Sequence, residues 1–396
     1  MFIDITNLEQ KSFLEETAPI FTQKDGKYTL SGKDGAYYSA GMFYTSIDAT
    51  AFRGKRITSQ VRVKYTSKKT MAMALILFFD EQNQKIQSDY FVKGKELYTY
   101  DGEAPQNAVR CEIELLSFFF GADTVEFSEL KTEILEKKAH RVAKIATAFI
   151  ECKGNAESNM QEVIAILDEA GNASEKPDII CFTEGVHSLR TSGRIYINDD
   201  SNEVKSVCEK AKKYGYYVLF TCHEKDKRGM QYNSALLISP DGKVVDRYRK
   251  THLTLSELKS GLVPGDEIKV FETPFCKFGI LICWDQWFPQ ASKEIEKQGA
   301  DVLFWLTRGY HEERLITRAR DTGMYVITSN PTAEKCCIAH PTTGEVIARG
   351  EGVHGYAMAT IDFDERQVSE YKSFGVNGGN DRDIFINELR EDIYTY

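Results

Sequence analysis

The sequence changes its pattern near Glu136. Before that residue, over 27–135, short apolar segments follow one another with turns between them and little helical spacing. Apolar side chains fall on alternating positions, for example at Ile57, Val61 and Val63. A period of two is typical of half-buried antiparallel strands. The first part of the chain is therefore predicted to form an all-β, jelly-roll-like sandwich.

Beyond Glu136 the pattern becomes an alternation of strands and helices. The predicted strands cover 142–150, 178–183, 217–222, 301–306 and 325–329, and the predicted helices cover 158–170, 202–214, 289–298 and 312–321. Such alternation indicates βαβ units with helices on the sheet faces. A chain of 396 residues is too long for one ordinary core. We therefore predict two domains, a β-sandwich over 1–136 and an α/β domain over 137–396.

The charge balance excludes some classes of partner. The chain has 59 acidic and 50 basic residues and a net charge of −9, which gives no electrostatic reason to expect nucleic acid or anionic membrane binding. No segment has the length and apolarity of a membrane span, and the first residues lack the regions of a signal peptide. The nine cysteines have no disulfide-like spacing. We expect a cytoplasmic protein.

Cys283 is the first candidate for chemistry. It ends the apolar run that starts at Lys277 and is followed at once by polar and aromatic residues, which places a thiol at the carboxyl end of a predicted strand, where ligands reach α/β sheets. A thiol is only a few per cent ionised near neutral pH, so a nucleophilic cysteine needs a base or a positive charge beside it.

Two further predicted strands end in ionisable residues. Glu184 follows the apolar segment that starts at Pro177, and Lys250 follows a hairpin built on Ser239–Gly242. Taken singly, each of the three residues is more simply a core thiol, a carboxylate at a helix start or a surface lysine. Their joint occurrence at three strand ends favours catalysis.

Glu184, Lys250 and Cys283, in this order, resemble the Glu-Lys-Cys triad of the nitrilase superfamily of carbon-nitrogen hydrolases. The resemblance covers roughly residues 140–396 and includes Tyr232–Gly242. It implies a four-layer αββα sandwich, a small-molecule substrate with an amide-type carbon-nitrogen bond, and a homodimer or a larger homo-oligomer. The carboxylates lack the spacing of a metal site and no glycine-rich phosphate loop is present, so we expect neither metal nor cofactor.

The resemblance assigns a role to each residue. Cys283 would attack the substrate carbon to form a thioester, Glu184 would act as general base and acid, and Lys250 would stabilise the oxyanion with the backbone N–H of Trp284. Glu257 resembles the second glutamate of the family, which steadies the lysine. Glu267 remains an alternative for that role because the loop after the lysine varies in length.

The segment Cys283–Pro289 is most similar to the N-carbamoylputrescine amidase branch, which favours an amide or an N-carbamoyl amine over a nitrile. The resemblance places Trp284 and Trp287 near the substrate, although packing is an equal explanation for Trp287. Gln290 and Thr183 depart from the usual glutamate and proline of the branch. The alternatives are a nitrilase, or a binding protein that carries an inactive hydrolase fold.

The first domain resembles galactose-binding-like carbohydrate-binding modules in its strand pattern over 75–86, so a carbohydrate partner is left open. Tyr37, Tyr38 and Tyr44 could form a sugar platform, but alternating aromatic residues in strands belong to the core more often. Near the other terminus, the segment Arg390–Tyr394 is similar to a terminal motif of the family.

Two other candidates have simpler explanations. Cys336 and Cys337 are adjacent and lack the spacer of zinc sites, which predicts strand residues rather than a metal or redox pair. His252 follows Lys250 closely, but a structural histidine is the commoner case than a Cys-His protease pair.

Overall fold

The computed structural model describes residues 2–3, 5, 8–33, 36–368 and 381–393. It divides into two compact units: Met1–Ala139 with Arg366–Tyr396, and His140–Glu365. The prediction assigned the whole of 137–396 to the second domain. In the structure, residues 137–139 and the described residues from Arg366 onward group with the first unit instead. The similarity noted at Arg390–Tyr394 ends at Tyr394, which is outside the described residues.

The first unit contains two antiparallel sheets. In the first sheet the strand order is β3-β4-β11-β6-β9, with β1 paired to β11, and in the second it is β2-β5-β10-β7-β8. The strands are β1 Phe2–Ile3, β2 Glu9–Ser12, β3 Ile20–Lys24, β4 Lys27–Ser31, β5 Tyr38–Asp48, β6 Arg56–Tyr65, β7 Met71–Phe79, β8 Lys85–Tyr90, β9 Leu97–Glu103, β10 Arg110–Phe120 and β11 Thr124–Leu135. A short α-helix of the same unit, which we label α6, covers Asp381–Glu388.

The alternation in β6 builds the core of this unit. Ile57, Val61 and Val63 are buried and join one hydrophobic cluster to which Phe43 and Phe78 of the second sheet also belong. Both sheets therefore share a core, as alternating apolar strands require. The jelly-roll connectivity stays a prediction.

Three tyrosines were candidates for either the core or a sugar platform. Tyr38 and Tyr44 lie in β5, and Tyr37 lies directly before it. Tyr37 precedes the strand and is 84% exposed, so the packing interpretation is wrong for this residue. Tyr38 and Tyr44 are half-buried. Tyr44 donates a hydrogen bond to Glu9 on the neighbouring strand.

The second unit contains two further sheets. Their strand orders are β17-β16-β15-β13-β12-β24, with β14 paired to β15, and β18-β19-β20-β21-β22-β23. The strands are β12 Val142–Phe149, β13 Ile179–Cys181, β14 Tyr196–Ile197, β15 Tyr217–Lys225, β16 Gln231–Ile238, β17 Val244–Arg249, β18 Val270–Glu272, β19 Lys277–Ile282, β20 Val302–Leu306, β21 Tyr325–Ser329, β22 Cys337–Ala339, β23 Val346–Arg349 and β24 Gly355–Asp362. The helices are α1 Ala156–Asn172, α2 Asn202–Tyr214, α3 Leu255–Lys259, α4 Pro289–Lys297 and α5 Glu312–Thr322.

Helices and sheets of this unit pack through two hydrophobic clusters. Apolar residues of α1 and α2, such as Val163 and Val207, pack with one face of the third sheet. The other face packs with the fourth sheet, and α4 and α5 pack on the strands of that fourth sheet, through residues such as Ile295. The Thr147 hydroxyl donates to the Thr328 carbonyl at 2.6 Å and ties β12 to β21. The predicted α/β class is confirmed.

The predicted strands and helices of this unit are present with small differences in their ends. The helix predicted at 158–170 covers Ala156–Asn172. Its N-cap residue is Asn155, whose side chain accepts a hydrogen bond from the Ser158 amide. Helix α3 was not predicted. Its five residues are too few for a clear helical period. In the part of the chain that the structure describes, no helix has both the length and the apolarity needed to cross a membrane.

Gly279 in β19 lets α4 pack closely against the strand that leads to Cys283. A Cβ atom at this position would overlap the buried side chain of Ile295. We expect Gly279→Ala to lower the free energy of unfolding by about 1–3 kcal/mol through overpacking. Urea denaturation monitored by circular dichroism measures this change.

The control for this variant is Gly193→Ala, because a Cβ atom there meets nothing within 4 Å. The additional change Ile295→Val should restore part of the stability of Gly279→Ala. Equal urea midpoints for Gly279→Ala and the control would contradict the close packing of α4 on β19.

Candidate active site

The structure brings the sequence-predicted residues together at strand ends that belong to both sheets of the second unit. Glu184 lies just beyond β13, Lys250 directly follows β17, and Cys283 directly follows β19. Glu184 and Lys250 are 6% and 1% exposed. The site therefore places two charged side chains in an environment from which water is largely excluded, where charges need partners.

The ammonium of Lys250 is the centre of the cluster. Its Nζ lies 3.0 Å from Glu184 Oε1 and 3.0 Å from each carboxylate oxygen of Glu257. Burial by itself would lower the pKa of Lys250, but the adjacent Glu184, Cys283 and Glu257 outweigh it and raise the pKa above its usual value. Lys250 is therefore a permanent cation at neutral pH.

Glu257 connects this cation to the start of helix α3. The Thr254 amide and hydroxyl donate to Glu257 Oε2 at 2.8 and 3.0 Å, which completes a capping box. Burial would raise the pKa of Glu257, but Lys250, the Thr254 backbone and Asn233 lower it below its ordinary value. Glu267 forms an ion pair with Lys269 instead and is largely exposed. The geometry thus agrees with the choice of Glu257 over Glu267.

Sequence analysis missed Asn233 as an individual site residue. Its Nδ2 donates to Glu184 Oε1 at 2.8 Å and to Glu257 Oε1 at 3.0 Å, and its carbonyl accepts from the Lys250 amide at 2.8 Å. Asn233 therefore bridges the two carboxylates that flank the ammonium. The available signal was a buried amide near the start of the apolar strand β16.

Cys283 has a left-handed backbone, with φ of 48°, a conformation that is uncommon for a residue other than glycine. The turn is held by the fully buried Asp285, whose Oδ2 accepts from the Ile282 amide at 2.9 Å and from the Tyr248 hydroxyl at 2.8 Å. Trp305 Nε1 donates to the Cys283 carbonyl at 3.2 Å. These contacts fix the direction in which the thiol leaves the strand.

The thiol of Cys283 is electrostatically coupled to the charged cluster. Burial and the negative charge of Glu184 raise the pKa of Cys283, while Lys250 and hydrogen bonds with the Thr307 side chain and the Gly309 backbone oppose the rise. The net effect keeps the thiol protonated at neutral pH. A reaction of this thiol as a nucleophile therefore requires a base, and Glu184 is the carboxylate beside it.

Two tryptophans follow Cys283. Trp284 is half-buried and Trp287 is 43% exposed, with their ring centres 5.2 Å apart. The guanidinium of Arg314 lies 4.1 Å from the ring centre of Trp287, and His311 meets the same ring edge-on at 5.5 Å. Trp287 thus has both a packed side and a surface open to a ligand.

The two departures from the branch pattern have different surroundings. Thr183 is buried, and its hydroxyl donates to the Thr307 carbonyl at 2.8 Å. It thereby ties the strand end before Glu184 to the loop beside Cys283. Gln290 is exposed on the first turn of α4.

The other candidates have structural roles. His252 stacks on Phe288 with ring centres 4.1 Å apart, and its Nδ1 lies 3.1 Å from Asp285 Oδ1. Cys336 and Cys337 are buried, although only Cys337 belongs to a strand. Within the described ranges, no group of three or more His, Cys, Asp or Glu side chains could hold a metal ion.

Comparison with known proteins places this site in a family. The sequence profile of the family described as Carbon-nitrogen hydrolase matches residues 143–371. The match covers more than half of the chain and includes all five residues of the cluster: Glu184, Asn233, Lys250, Glu257 and Cys283. The chain belongs to the carbon-nitrogen hydrolase family.

Individual relatives are more distant. Omega-amidase NIT2 of Xenopus tropicalis is 31% identical over 177 residues, which is 39% of this chain and 64% of the relative. N-carbamoylputrescine amidase of Solanum tuberosum is 40% identical over 101 residues, which is 24% of this chain and 33% of the relative. A crystal structure of a carbon-nitrogen hydrolase from Helicobacter pylori G27 has a TM-score of 0.53 at 18% identity, and the match covers 64% of this chain and 97% of that one. The latter shows the shared α/β fold.

The buried charges make a prediction about stability. Replacing Lys250 by Met leaves two buried carboxylates without their cation, so we expect a loss of about 3–5 kcal/mol at pH 7. The pKa of Glu257 is lower in the folded protein than in the unfolded chain. Its carboxylate therefore adds to the free energy of unfolding above the unfolded pKa, and this stabilisation is lost as the pH falls through the folded pKa. Without Lys250, protonation of Glu257 at low pH removes one of the unpaired buried charges of the variant.

The difference in unfolding free energy between the wild type and Lys250→Met should therefore shrink below roughly pH 5. Urea denaturation at pH 7 and pH 4.5 measures it. Lys243→Met, at an exposed turn position, is the control and should have little effect at either pH. A pH-independent loss in Lys250→Met would contradict the electrostatic origin of its stability.

Proposed function

We propose that this protein hydrolyses an amide or an N-carbamoyl amine through a thioester on Cys283 and releases ammonia. The observation that carries the proposal is a protonated thiol coupled to a buried carboxylate and a buried ammonium, Glu184 and Lys250. This set supplies a nucleophile, a base and a positive charge, which are the three requirements for acyl transfer from nitrogen.

In the first step Glu184 takes the proton of the Cys283 thiol as the sulfur attacks the substrate carbonyl carbon. A carbon–sulfur bond forms, and the electron pair of the carbonyl π bond moves to the oxygen. Lys250 and the backbone N–H of Trp284 stabilise this oxyanion. Loss of one donor of this kind typically costs about 3–4 kcal/mol.

In the second step Glu184 returns its proton to the leaving nitrogen. The carbon–nitrogen bond breaks, ammonia or an amine departs, and a thioester remains on Cys283. Glu184 then takes a proton from water, which attacks the thioester carbon. The carbon–sulfur bond breaks, and Glu184 passes this proton to the departing sulfur, so that the acid and the thiol are released. General acid–base catalysis of this type contributes about 10² to 10⁴ in rate.

Glu257 and Asn233 act as positioning residues in this scheme. Glu257 holds the Lys250 ammonium with both carboxylate oxygens, and Asn233 donates to Glu184 at 2.8 Å. These bonds leave the base and the cation few other orientations. Trp284 and Trp287 are the proposed aromatic contacts to the substrate.

Several broader expectations accompany the proposal. All nine cysteines are free, which supports a reducing compartment such as the cytoplasm. A homodimer or larger homo-oligomer, and a carbohydrate ligand for the first unit, are proposed from the sequence resemblance. The names of the frog and potato relatives support an amide or N-carbamoyl substrate over a nitrile.

Ammonia release from ω-amides, N-carbamoyl amines and aliphatic nitriles tests the reaction. We expect release from one of the first two classes, and Cys283→Ala should reduce it by about 10³-fold or more, because the nucleophile is lost. Cys208→Ala removes a half-buried thiol of α2 and is the matched control. Equal rates in Cys283→Ala and the control would refute the thioester mechanism.

Thiol alkylation tests the assignment of charges without a substrate. Glu184 raises the pKa of Cys283 and Lys250 lowers it. The pH midpoint for alkylation of Cys283 by iodoacetamide should therefore fall in Glu184→Gln and rise in Lys250→Met, each by about one pH unit. Mass spectrometry of the Cys283 peptide measures the midpoint.

The same digest provides an internal control, since the midpoint of Cys208 should not move in either variant. Glu184→Gln should thus become more reactive toward iodoacetamide near neutral pH while it loses hydrolysis. An upward shift of the Cys283 midpoint in Glu184→Gln would show that the carboxylate does not face the thiol.

A further inference from the structure

Arg308 lies at the reaction centre, although neither the sequence resemblance nor the proposed mechanism uses it. It stands in the loop after β20, between Thr307 and Gly309, and both of these neighbours form hydrogen bonds with the Cys283 thiol. Its Nε donates to the Glu184 carbonyl at 3.1 Å and lies 3.9 Å from Glu184 Oε2. One side chain thus reaches from the thiol loop to the proposed base.

The guanidinium of Arg308 is anchored on one side only. A Cβ atom built at Gly185 would lie 2.7 Å from Nη2, so the group covers the glycine next to Glu184. Over the described ranges of the chain, neither terminal nitrogen of Arg308 has a hydrogen-bond partner, and the side chain is 41% exposed. A planar fork with free donors matches the two oxygens of a carboxylate.

A second arginine, Arg194, lies in the surroundings of Arg308. Arg194 is oriented by a 2.7 Å hydrogen bond from Nη1 to Ser260, and it acts together with Arg308 on the buried His223. Burial and these two arginines, with His187, lower the pKa of His223 to about 3, so its imidazole is neutral at physiological pH.

The carboxylates of this region are already paired. Glu184 and Glu257 both accept from Lys250 and from Asn233. Lys250 is thus held between two carboxylates, whereas Arg308 approaches Glu184 through Nε, which leaves its terminal nitrogens directed away from these bonds.

We infer that Arg308 recognises a negatively charged group on the substrate, so that the enzyme prefers an amide that also carries a carboxylate. The inference rests on the proposed amide hydrolysis and specifies its substrate class. An N-carbamoyl amine with a free ammonium group would meet Arg308 as a like charge, which disfavours binding. The preference is thus opposite to the cationic substrate in the name of the potato relative.

A purely structural role for Arg308 makes a different prediction. If Arg308 only held the Glu184 backbone, its loss would slow all amides alike. The readout is therefore a ratio between substrates that differ in charge and share the reacting amide.

Succinamate, succinamide and β-alaninamide share the group H₂N–CO–CH₂–CH₂– and end in an anionic, a neutral and a cationic group. We expect kcat/KM to decrease in that order for the wild type. In Arg308→Leu the ratio of succinamate to succinamide should fall about tenfold, mainly through the KM for succinamate. Arg308→Lys should keep part of the ratio because the charge remains. Amide substrates with longer carbon chains and the same three end groups are assayed in the same way.

The control is Arg62→Leu. Arg62 lies in β6, pairs with Glu129 at 3.0 Å, and its side chain is 34% exposed, close to the 41% of Arg308. This change should leave the substrate ratio as in the wild type. A ratio in Arg308→Leu equal to that of the control would overturn the inference.

A second measurement does not depend on hydrolysis. Iodoacetate and iodoacetamide alkylate the same thiol but differ in charge, so their rate ratio at Cys283 reports anion attraction directly. The ratio should fall about threefold in Arg308→Leu and should not change at Cys208 in the same digest.

The two measurements separate failure of the inference from failure of the proposed function. If ammonia is released but Arg308→Leu changes neither the substrate ratio nor the alkylation ratio, the inference about Arg308 is overturned and the proposed amide hydrolysis stands. If no amide yields ammonia but the ratio of iodoacetate to iodoacetamide alkylation falls in Arg308→Leu, the proposed amide hydrolysis is overturned and an anion site at Arg308 is supported.

Discussion

The ammonium of Lys250 is the interaction on which the candidate site depends. It is almost fully buried, and an isolated charge in that position would cost several kcal/mol. The cost is offset because Glu184, Glu257 and Asn233 come from three different elements and form one hydrogen-bonded group. The loop after β13, strand β16 and helix α3 are therefore fixed relative to one another by electrostatics as well as by packing.

The backbone of Cys283 adds a second constraint. A left-handed residue at a strand end is maintained only where its surroundings determine it. Here the fully buried Asp285 gathers the Ile282 amide, the Tyr248 hydroxyl and the His252 amide. The thiol is thus directed by a rigid turn, while its reactivity is set by the charged cluster beside it. The two properties are carried by different residues and can vary independently.

Much of this site could be predicted from the sequence because strand ends are visible as ends of apolar runs. Glu184, Lys250 and Cys283 each follow such a run. Strands β13 and β17 belong to the third sheet and β19 to the fourth, and the packing of these two sheets brings the three ends to one site. Asn233 and Arg308 could not be found this way. Their roles follow from partners that are distant in sequence, such as the 124-residue separation between Arg308 and Glu184.

The fold, like the site, was predictable in part from the sequence. Periodicity identified the change near Glu136 and the helices of the second unit, because their amphipathic patterns are long. It could not show that the described residues after Arg366 group with the first unit. That grouping depends on contacts such as the ion pair of Arg366 with Asp89 at 2.8 Å, which join positions far apart in the chain.

Glu257 has two duties that no shorter side chain could combine. It closes the first turn of α3 by accepting from Thr254, and it holds Lys250 with both oxygens. A helix of five residues has no stability of its own in water. Helix α3 is thus ordered by the same carboxylate that holds the Lys250 ammonium. Position 257 consequently tolerates neither aspartate, which is one methylene too short, nor a residue chosen for helix capping alone.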